Sequence, residues 1–225
     1  MQRRQFTAGV FCTGWVLLDP LWAAGYNEAD AAQAVREAMA RGANAAVALL
    51  GRNDGFLGNP KVRIPLPGVL ADIARMLKAT GQQKRVDELI TAMNRAAEGA
   101  VPQARTLLVN TARSISVDDA IKIVRGGDTS VTNYFAGKTR APLTEQFLPI
   151  ISRSTEKVAL ADKYNAVAGK AAKLGLLKGD EVNLQRYVTV KSLDGLFLMI
   201  GEEERSIRRD PVGTGSALLR RVFAR

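Results

Sequence analysis

One segment near the end of the chain carries more apolar residues than a helix on a protein surface needs. When residues 183–209 are placed at intervals of about 100°, as in an α-helix, their apolar side chains cover an arc of about 200°. The apolar stripe of an ordinary surface helix is about 100° wide. We therefore predict a long helix near the centre of a bundle, with other helices packed around it.

The remaining sequence also has the periodicity of helices, and it carries residues that begin and end them. Asn27 and Ser116 each precede acidic residues, which is the pattern of a helix start. Gly51 and Gly81 follow periodic stretches and are expected to end them. Pro142 is expected to open a new helix. The predicted helices cover residues 27–50, 69–79, 83–99, 102–115, 120–124, 129–137, 143–157, 158–174, 183–209 and 217–223.

The sequence gives no convincing signal for a strand, a domain linker or an internal repeat. A helical region of this length suits one domain with a substantial core. The predicted fold class is therefore all-α: a single multi-helix bundle with a central, mostly buried C-terminal long helix. Residues 26–225 are expected to form this domain.

Residues 52–68 form the one long irregular stretch between predicted helices. They contain several turn sequences, among them Asn53-Asp54-Gly55 and Pro65-Leu66-Pro67-Gly68. Apolar residues alternate with these turns, so the stretch is expected to be pinned across the helices. A long ordered loop serves packing or function, and packing is the favoured interpretation here.

Residues 1–25 have the features of an export signal peptide. Arg3 and Arg4 precede an apolar run over residues 6–18, and small residues follow at positions 23–25. The run is too short for a membrane span, which needs about 20 residues. We expect a periplasmic or otherwise exported protein without a transmembrane segment in its mature part. The two arginines fit a twin-arginine signal, although a general secretory signal fits as well.

The mature protein would contain neither cysteine nor histidine. Cys12 is the only cysteine, it lies inside the predicted signal, and the chain has no histidine. Disulfides, cysteine or histidine nucleophiles, and thiolate or imidazole metal sites are thereby excluded. No serine lies in a recognisable nucleophile elbow. We expect no metal and no cofactor, because no motif indicates either one.

The chain is strongly basic, with a formal net charge of +10 at pH 7. A basic surface can bind nucleic acid, anionic lipid or an acidic polymer, or it can only keep a protein soluble. The aromatic residues mostly fall on apolar faces rather than among basic residues, and the predicted compartment argues against nucleic acid. An unidentified envelope protein or a lipid is the expected partner.

The long helix carries neighbouring acidic residues, which a glycosidase could use as a catalytic pair only if they flanked the ligand. The run Glu202-Glu203-Glu204 is expected to form a solvated helical turn, in which Glu202 pairs with Arg205 and Glu204 with Arg208. Asp194 lies on the polar stripe of the same helix. Its carboxylate is expected to pair with Lys191 or with an arginine of another helix, and the alternative is a polar group at the floor of a cleft.

Several long motifs together resemble a bacterial family of unknown function, number 4197. The resemblance extends over nearly the whole mature chain and implies an exported, helical, one-domain protein. It implies no catalytic residues. The similar stretches are Leu50-Gly51-Arg52-Asn53-Asp54-Gly55-Phe56-Leu57, Asn59-Pro60-Lys61-Val62-Arg63-Ile64-Pro65-Leu66-Pro67, Met93-Asn94-Arg95-Ala96-Ala97-Glu98, Gly126-Gly127-Asp128, Tyr134-Phe135, Tyr164-Asn165 and Leu193-Asp194-Gly195-Leu196-Phe197-Leu198-Met199-Ile200.

The leading hypothesis is a non-enzymatic binding or interaction module of the bacterial envelope, for an apolar or anionic ligand such as a lipid. One alternative is an enzyme that uses carboxylate and arginine residues in a helical cleft, with Asn94, Arg95, Glu98 and Asp194 as its candidates. The second alternative is a nucleic-acid-binding protein. The sequence does not indicate an oligomeric state. The residues expected to bind ligand are Arg63, Asn94, Arg95, Glu98, Tyr164, Asn165 and Asp194.

Overall fold

The structure is a computed structural model that describes residues 27–79, 81–173, 175 and 179–224. The predicted export signal, residues 1–25, lies outside these residues. Within them are nine α-helices, two short 3-10 turns at Val101–Gln103 and Gly179–Val182, and no β-strand, which confirms the all-α prediction. The helices are α1 (Glu28–Leu50), α2 (Gly68–Ala79), α3 (Gln83–Ala100), α4 (Ala104–Arg113), α5 (Val117–Arg125), α6 (Ser130–Thr155), α7 (Ala159–Lys173), α8 (Leu184–Arg209) and α9 (Ala217–Phe223).

The long helix α8 lies at the centre of the bundle, as its wide apolar arc predicted. It packs against α1, α3 and α6, and it also contacts α7 and α9. Its buried residues extend along its length from Leu184 to Ile207. Neither α8 nor any other described helix combines length and apolarity in the way a membrane span requires.

Two helices, α1 and α5, start at the capping residues that the sequence predicted. The side chain of Asn27 accepts a hydrogen bond from the Asp30 amide at 2.7 Å, and Ser116 accepts one from Asp119 at 3.1 Å. At α9, Ser216 caps the helix by accepting a hydrogen bond from the Leu219 amide at 3.3 Å. Thr214 accepts a hydrogen bond from the Ser216 amide, inside the turn that precedes the helix.

The prediction of two helices on either side of Pro142 is wrong. One continuous helix, α6, extends over 26 residues and contains both Pro142 and Pro149. Each proline removes one backbone donor, but the apolar residues on both sides of them continue a single buried face. That burial against α3 and α8 outweighs the lost hydrogen bonds. The buried apolar residues of α6 are Val131, Phe135, Leu143, Phe147 and Ile151.

Candidate functional site

The irregular segment 51–67 lies between α1 and α2 and is packed across the bundle. Phe56 and Ile64 in this segment are fully buried, and Val62 is nearly so. Phe56 fits against α8 because Gly195 lacks a side chain there. A Cβ at Gly195 would lie only 2.8 Å from the Phe56 ring. The segment therefore belongs to the core, as the packing interpretation predicted.

Two polar contacts join the same segment to α8. The Tyr187 hydroxyl donates a hydrogen bond to the Pro65 carbonyl at 3.2 Å. Lys61 Nζ lies 2.9 Å from Glu202 Oε2. Hydrogen bonds from Lys61 and then from Arg205 lower the pKa of the Glu202 carboxyl below its usual range. These contacts add polar anchors to the apolar packing.

Glu98 of α3 holds the first half of the segment through its backbone. Its Oε1 accepts hydrogen bonds from the amides of Phe56 at 3.0 Å and Leu57 at 3.1 Å. Its Oε2 accepts one from Arg95 Nη1 at 2.6 Å, and Arg95 Nη2 continues to Asp54 Oδ1 at 2.8 Å. The hydrogen bond to Glu98 is the main cause that raises the pKa of Arg95. Glu98 therefore binds the loop backbone, and Arg95 links Glu98 to the side chain of Asp54.

Asn94 holds the second half of the segment. Its Oδ1 accepts a hydrogen bond from the Ile64 amide at 2.8 Å, and its Nδ2 donates to the Ile64 carbonyl at 3.0 Å. The same Nδ2 also donates to the Ile90 carbonyl at 2.8 Å. Asn94 is completely buried, so its amide replaces the partner that a neighbouring strand would give Ile64.

A groove opens where segment 51–67 meets α2 and α3. Its cavity has a volume of about 530 Å³, which lies within the usual range for a small-molecule site. Arg63 is exposed at this groove, and its guanidinium has no hydrogen-bond or ion-pair partner among the described residues. The walls are mostly apolar. The lining residues are Pro60, Arg63, Pro65, Leu66, Ala71, Ala74, Arg75, Val86 and Ile90.

Tyr164 and Asn165 lie on α7, where they hold the start of α8. The Tyr164 hydroxyl donates to the Glu181 carbonyl, while Asn165 Oδ1 accepts from the Leu184 amide and its Nδ2 donates to Gln185 Oε1, both at 2.9 Å. Burial, with smaller contributions from the charge of Glu181 and from Tyr187, raises the pKa of Tyr164 to about 12. Both side chains connect two parts of the fold.

Asp194 forms the ion pair that its position on α8 predicted. Its Oδ1 lies 2.9 Å from Arg140 Nη1 of α6, and its Oδ2 lies 4.0 Å from Lys191 Nζ. The Arg140 guanidinium also stacks 5.0 Å from the centre of the Phe197 ring. Because the Asp194 side chain is 45% exposed, the pair lies at the protein surface.

The structure brings four of the seven predicted ligand-binding residues to one region. Asn94, Arg95 and Glu98 hold segment 51–67, and Arg63 projects from that segment into the groove. The side-chain polar atoms of Asn94, Arg95 and Glu98 form hydrogen bonds with other residues of the chain, whereas the Arg63 guanidinium has no such partner among the described residues. The remaining three, Tyr164, Asn165 and Asp194, lie elsewhere and have protein partners of their own.

The profile of a family described as "Protein of unknown function (DUF4197)" matches residues 25–224 of the chain. The chain belongs to this family. Neither a curated protein nor a solved structure matches it. The family assignment confirms the resemblance seen in the sequence motifs, several of which form the contacts between segment 51–67 and α3.

The described part of this DUF4197 member contains no group of three acidic, cysteine or histidine residues that could hold a metal ion. The acidic side chains in the site region have other partners. Glu98 binds backbone amides and Arg95, while Asp54 binds Arg95 and Glu202 binds Lys61. The arrangement supplies a mostly apolar groove with two cationic side chains, Arg63 and Arg75, rather than a cluster of oxygen ligands.

Sequence reasoning missed one buried polar centre of this DUF4197 fold. The pair of Glu204 with Arg208 is confirmed at 3.1 Å, but the expected solvated turn is wrong for Glu204, which is only 5% exposed. Glu204 Oε1 accepts from the Val131 amide at 2.9 Å, and Oε2 accepts from the Thr132 amide at 3.0 Å. It thus caps α6, whose own N-cap residue makes no side-chain capping bond.

Proposed function

We propose that this protein binds a single-chain amphiphile with an anionic headgroup, such as a fatty acid, in the groove beside segment 51–67. The observation that supports this proposal is an open, mostly apolar groove whose lining includes two arginines, Arg63 and Arg75. The proposal develops the binding-module hypothesis, in which the ligand was apolar or anionic.

The walls of the groove suit a hydrocarbon chain. Leu66 and Ile90 are half-buried and line the groove with the buried residues Ala74 and Val86. Three elements contribute these side chains, so a bound chain would cover apolar surface from the segment, α2 and α3 at once. Burying a methylene group stabilises a complex by about 0.8 kcal/mol, and a chain of several methylenes would supply most of the affinity.

Arg63 suits the charged end of the ligand. A guanidinium group binds a carboxylate through two parallel hydrogen bonds, and Arg63 has no described partner that would compete. The buried Asn94–Ile64 hydrogen bonds fix the backbone next to Arg63. The arginine therefore projects from a rigid part of the segment, which lowers the entropy cost of binding.

Calorimetric titration with dodecanoate tests the proposal in three variants. Ala71→Trp places a bulky ring at an exposed position that lines the groove, and we expect it to abolish binding. Arg63→Gln removes the headgroup partner and is expected to weaken binding about tenfold or more. Arg52→Gln is the matched control, because Arg52 is an exposed arginine of the same segment that does not line the groove.

The control should bind dodecanoate like the unaltered protein. If Ala71→Trp binds as well as the unaltered protein, the ligand does not occupy this groove. If Arg52→Gln weakens binding as much as Arg63→Gln, the affinity comes from the overall positive charge, which would also show as a steep dependence on salt.

The proposed location is the bacterial envelope, reached through export and removal of residues 1–25. Arg3, Arg4 and the apolar run behind them support it. Amino-terminal sequencing of the protein recovered from the periplasm should begin near residue 26. Replacing both Arg3 and Arg4 by Lys should stop export by a twin-arginine route and leave general secretion unaffected, so the double variant distinguishes the two routes.

A further inference from the structure

A second cavity lies on the other side of α3, between the start of that helix and the start of α7. It has a volume of about 540 Å³. It shares no lining residue with the groove beside segment 51–67, so it forms a separate site. Its lining residues are Gln82, Arg85, Glu88, Lys157, Val158, Ala159, Leu160 and Lys163.

The charged side chains around this cavity are mainly cationic. Arg85, Lys157 and Lys163 carry three positive charges, and Glu88 carries one negative charge, which leaves 3 − 1 = +2. Among the described residues, neither lysine has a hydrogen-bond or ion-pair partner, and Glu88 forms no salt bridge. The three cations come from α3, from the turn between α6 and α7, and from α7. A concave site that gathers cations from three places attracts an anion.

A neutral side chain orients Arg85 and leaves its charge without an ion-pair partner among the described residues. Its Nη1 donates a hydrogen bond to the Gln82 side-chain oxygen at 3.0 Å. Gln82 is neutral, so this contact orients the guanidinium without neutralising it. The remaining donors of Arg85 stay available to a ligand.

Two helix starts add to the positive potential of the same cavity. Gln82 is the N-cap residue of α3 and makes no side-chain capping bond. Ala159 and Leu160, the first two residues of α7, also line the cavity. The positive ends of two helix dipoles therefore meet near the cationic side chains.

We propose that this cavity binds a phosphate monoester, a ligand distinct from the proposed fatty acid. The doubly charged phosphate group contacts Arg85, Lys157 and Lys163, which together match its charge better than that of a single carboxylate. The organic part of the ester lies against Val158 and Leu160, the apolar residues of the lining. Glu88 orients hydroxyl groups of that organic part by accepting their hydrogen bonds.

Titration calorimetry at low ionic strength with glycerol 3-phosphate tests this assignment. We expect saturable binding, and Lys163→Gln and Arg85→Gln should each weaken it about tenfold or more. Both residues are exposed, so the helices should remain folded, which circular dichroism verifies. Arg105→Gln is the matched control, since Arg105 is exposed on α4 and does not line the cavity. It should bind like the unaltered protein.

Three results would overturn the assignment. The first is no saturable binding of glycerol 3-phosphate below about 10 mM. The second is an equal loss of affinity in Arg105→Gln, which would show a diffuse charge effect. The third is binding of acetate as tight as that of glycerol 3-phosphate, which would show that the site does not select a doubly charged group. The groove variant Ala71→Trp should retain binding of the phosphate ester. The proposal for this cavity can therefore be contradicted without contradicting the fatty-acid proposal, and the reverse also holds.

The source of the phosphate monoester is distinguished with vesicles. Vesicles of phosphatidylcholine with and without phosphatidic acid present the same group on a membrane. If Lys163→Gln reduces binding to the phosphatidic acid vesicles as much as it reduces binding of glycerol 3-phosphate, the site takes a lipid headgroup. If only the soluble ester depends on Lys163, the site takes a free phosphate ester.

Discussion

Glu98 and Glu204 perform the same task in two regions of the molecule, and their surroundings differ. Each glutamate is 5% exposed, and its carboxylate accepts hydrogen bonds from two consecutive backbone amides. Each also binds an arginine of its own helix, Arg95 for Glu98 and Arg208 for Glu204. Both carboxylates therefore replace hydrogen bonds that the backbone lacks where it is irregular or where a helix begins.

The two arginines differ in their further contacts: Arg95 binds a surface residue, whereas Arg208 contacts other helices of the bundle. Arg95 is 36% exposed and continues to Asp54 at the surface. Arg208 is only 12% exposed, donates to the Ile123 carbonyl at 2.9 Å and lies 5.3 Å from the centre of the Phe223 ring. The Glu98 network ends in solvent and holds one segment. The Glu204 network joins α5, α6, α8 and α9, so the same chemistry supports a local structure in one region and the whole bundle in the other.

Glu204→Gln should be the most damaging change of the comparison. It removes the partner of a mostly buried Arg208 and weakens the cap of α6, so we expect a loss of about 3–5 kcal/mol in the free energy of unfolding. Urea denaturation measures this loss. The matched control is Glu203→Gln, because Glu203 is a partly buried neighbour on α8 with no ion pair among the described residues. Similar losses in the two variants would contradict the central role of Glu204.

Glu98→Gln should cost less, about 1–3 kcal/mol, because Arg95 can turn to solvent and to Asp54. Its effect should be concentrated in segment 51–67. Hydrogen exchange at the Phe56 and Leu57 amides should accelerate, while exchange in α8 should change little. Equal acceleration in both regions would show that Glu98 also supports the whole fold and would remove the contrast with Glu204.

Tyr164 extends the comparison to a buried side chain that is neutral at pH 7. Burial raises the pKa of its phenol to about 12, from 10.0 in the unfolded chain. The stabilisation from the neutral phenol is therefore fully present below pH 10 and is lost as the pH rises towards 12. Tyr164→Phe removes the hydrogen bond to Glu181 and should cost about 1 kcal/mol near neutral pH.

Urea denaturation of both proteins between about pH 9 and pH 12 measures the pH dependence of that difference. The unaltered protein should lose more stability over this range than Tyr164→Phe does. Tyr134→Phe is the comparison variant, since burial also raises the pKa of Tyr134, whose side chain is less deeply buried than that of Tyr164. A difference that stays constant with pH would show that the Tyr164 phenol does not titrate in the folded protein as the burial indicates.

Asp194→Asn should have the smallest effect. The Arg140 and Asp194 side chains are 42% and 45% exposed, and exposed ion pairs contribute about 0–1 kcal/mol. The loss in the free energy of unfolding should shrink further as sodium chloride is added, because salt screens exposed charges. If Asp194→Asn lowers the free energy of unfolding as much as Glu98→Gln does, the exposure of an ion pair does not predict its contribution to the stability of this protein.

Local patterns allowed most helices to be predicted. The caps at Asn27 and Ser116 and the pairs Glu202–Arg205 and Glu204–Arg208 all involve residues three or four positions apart. Helical geometry brings such residues together whatever the rest of the fold does. The central position of α8 was predictable for a related reason, since its wide apolar arc requires partners on several sides.

The features of the fold that the sequence did not predict depend on contacts between residues far apart in the chain. Pro142 was expected to divide a helix, but α6 continues because its apolar face is buried along its whole length against α3 and α8. The sequence shows the missing backbone donor and does not show the packing that compensates for it. The same holds for Glu204, whose bonds to Val131 and Thr132 span more than 70 residues.

In the candidate site, too, some features were predictable from the sequence and others depend on the tertiary structure. The sequence by itself determined an all-α chain and the pinned segment, and it indicated Asn94, Arg95 and Glu98 among the candidate site residues. Only the tertiary structure decided that Asn94 and Glu98 hold the loop backbone, that Arg95 binds Asp54 of the loop, and that Arg63 lines an open groove. The reason is physical: periodicity and capping depend on residues within one helical turn, whereas burial, hydrogen-bond partners and cavities depend on which distant segments pack together.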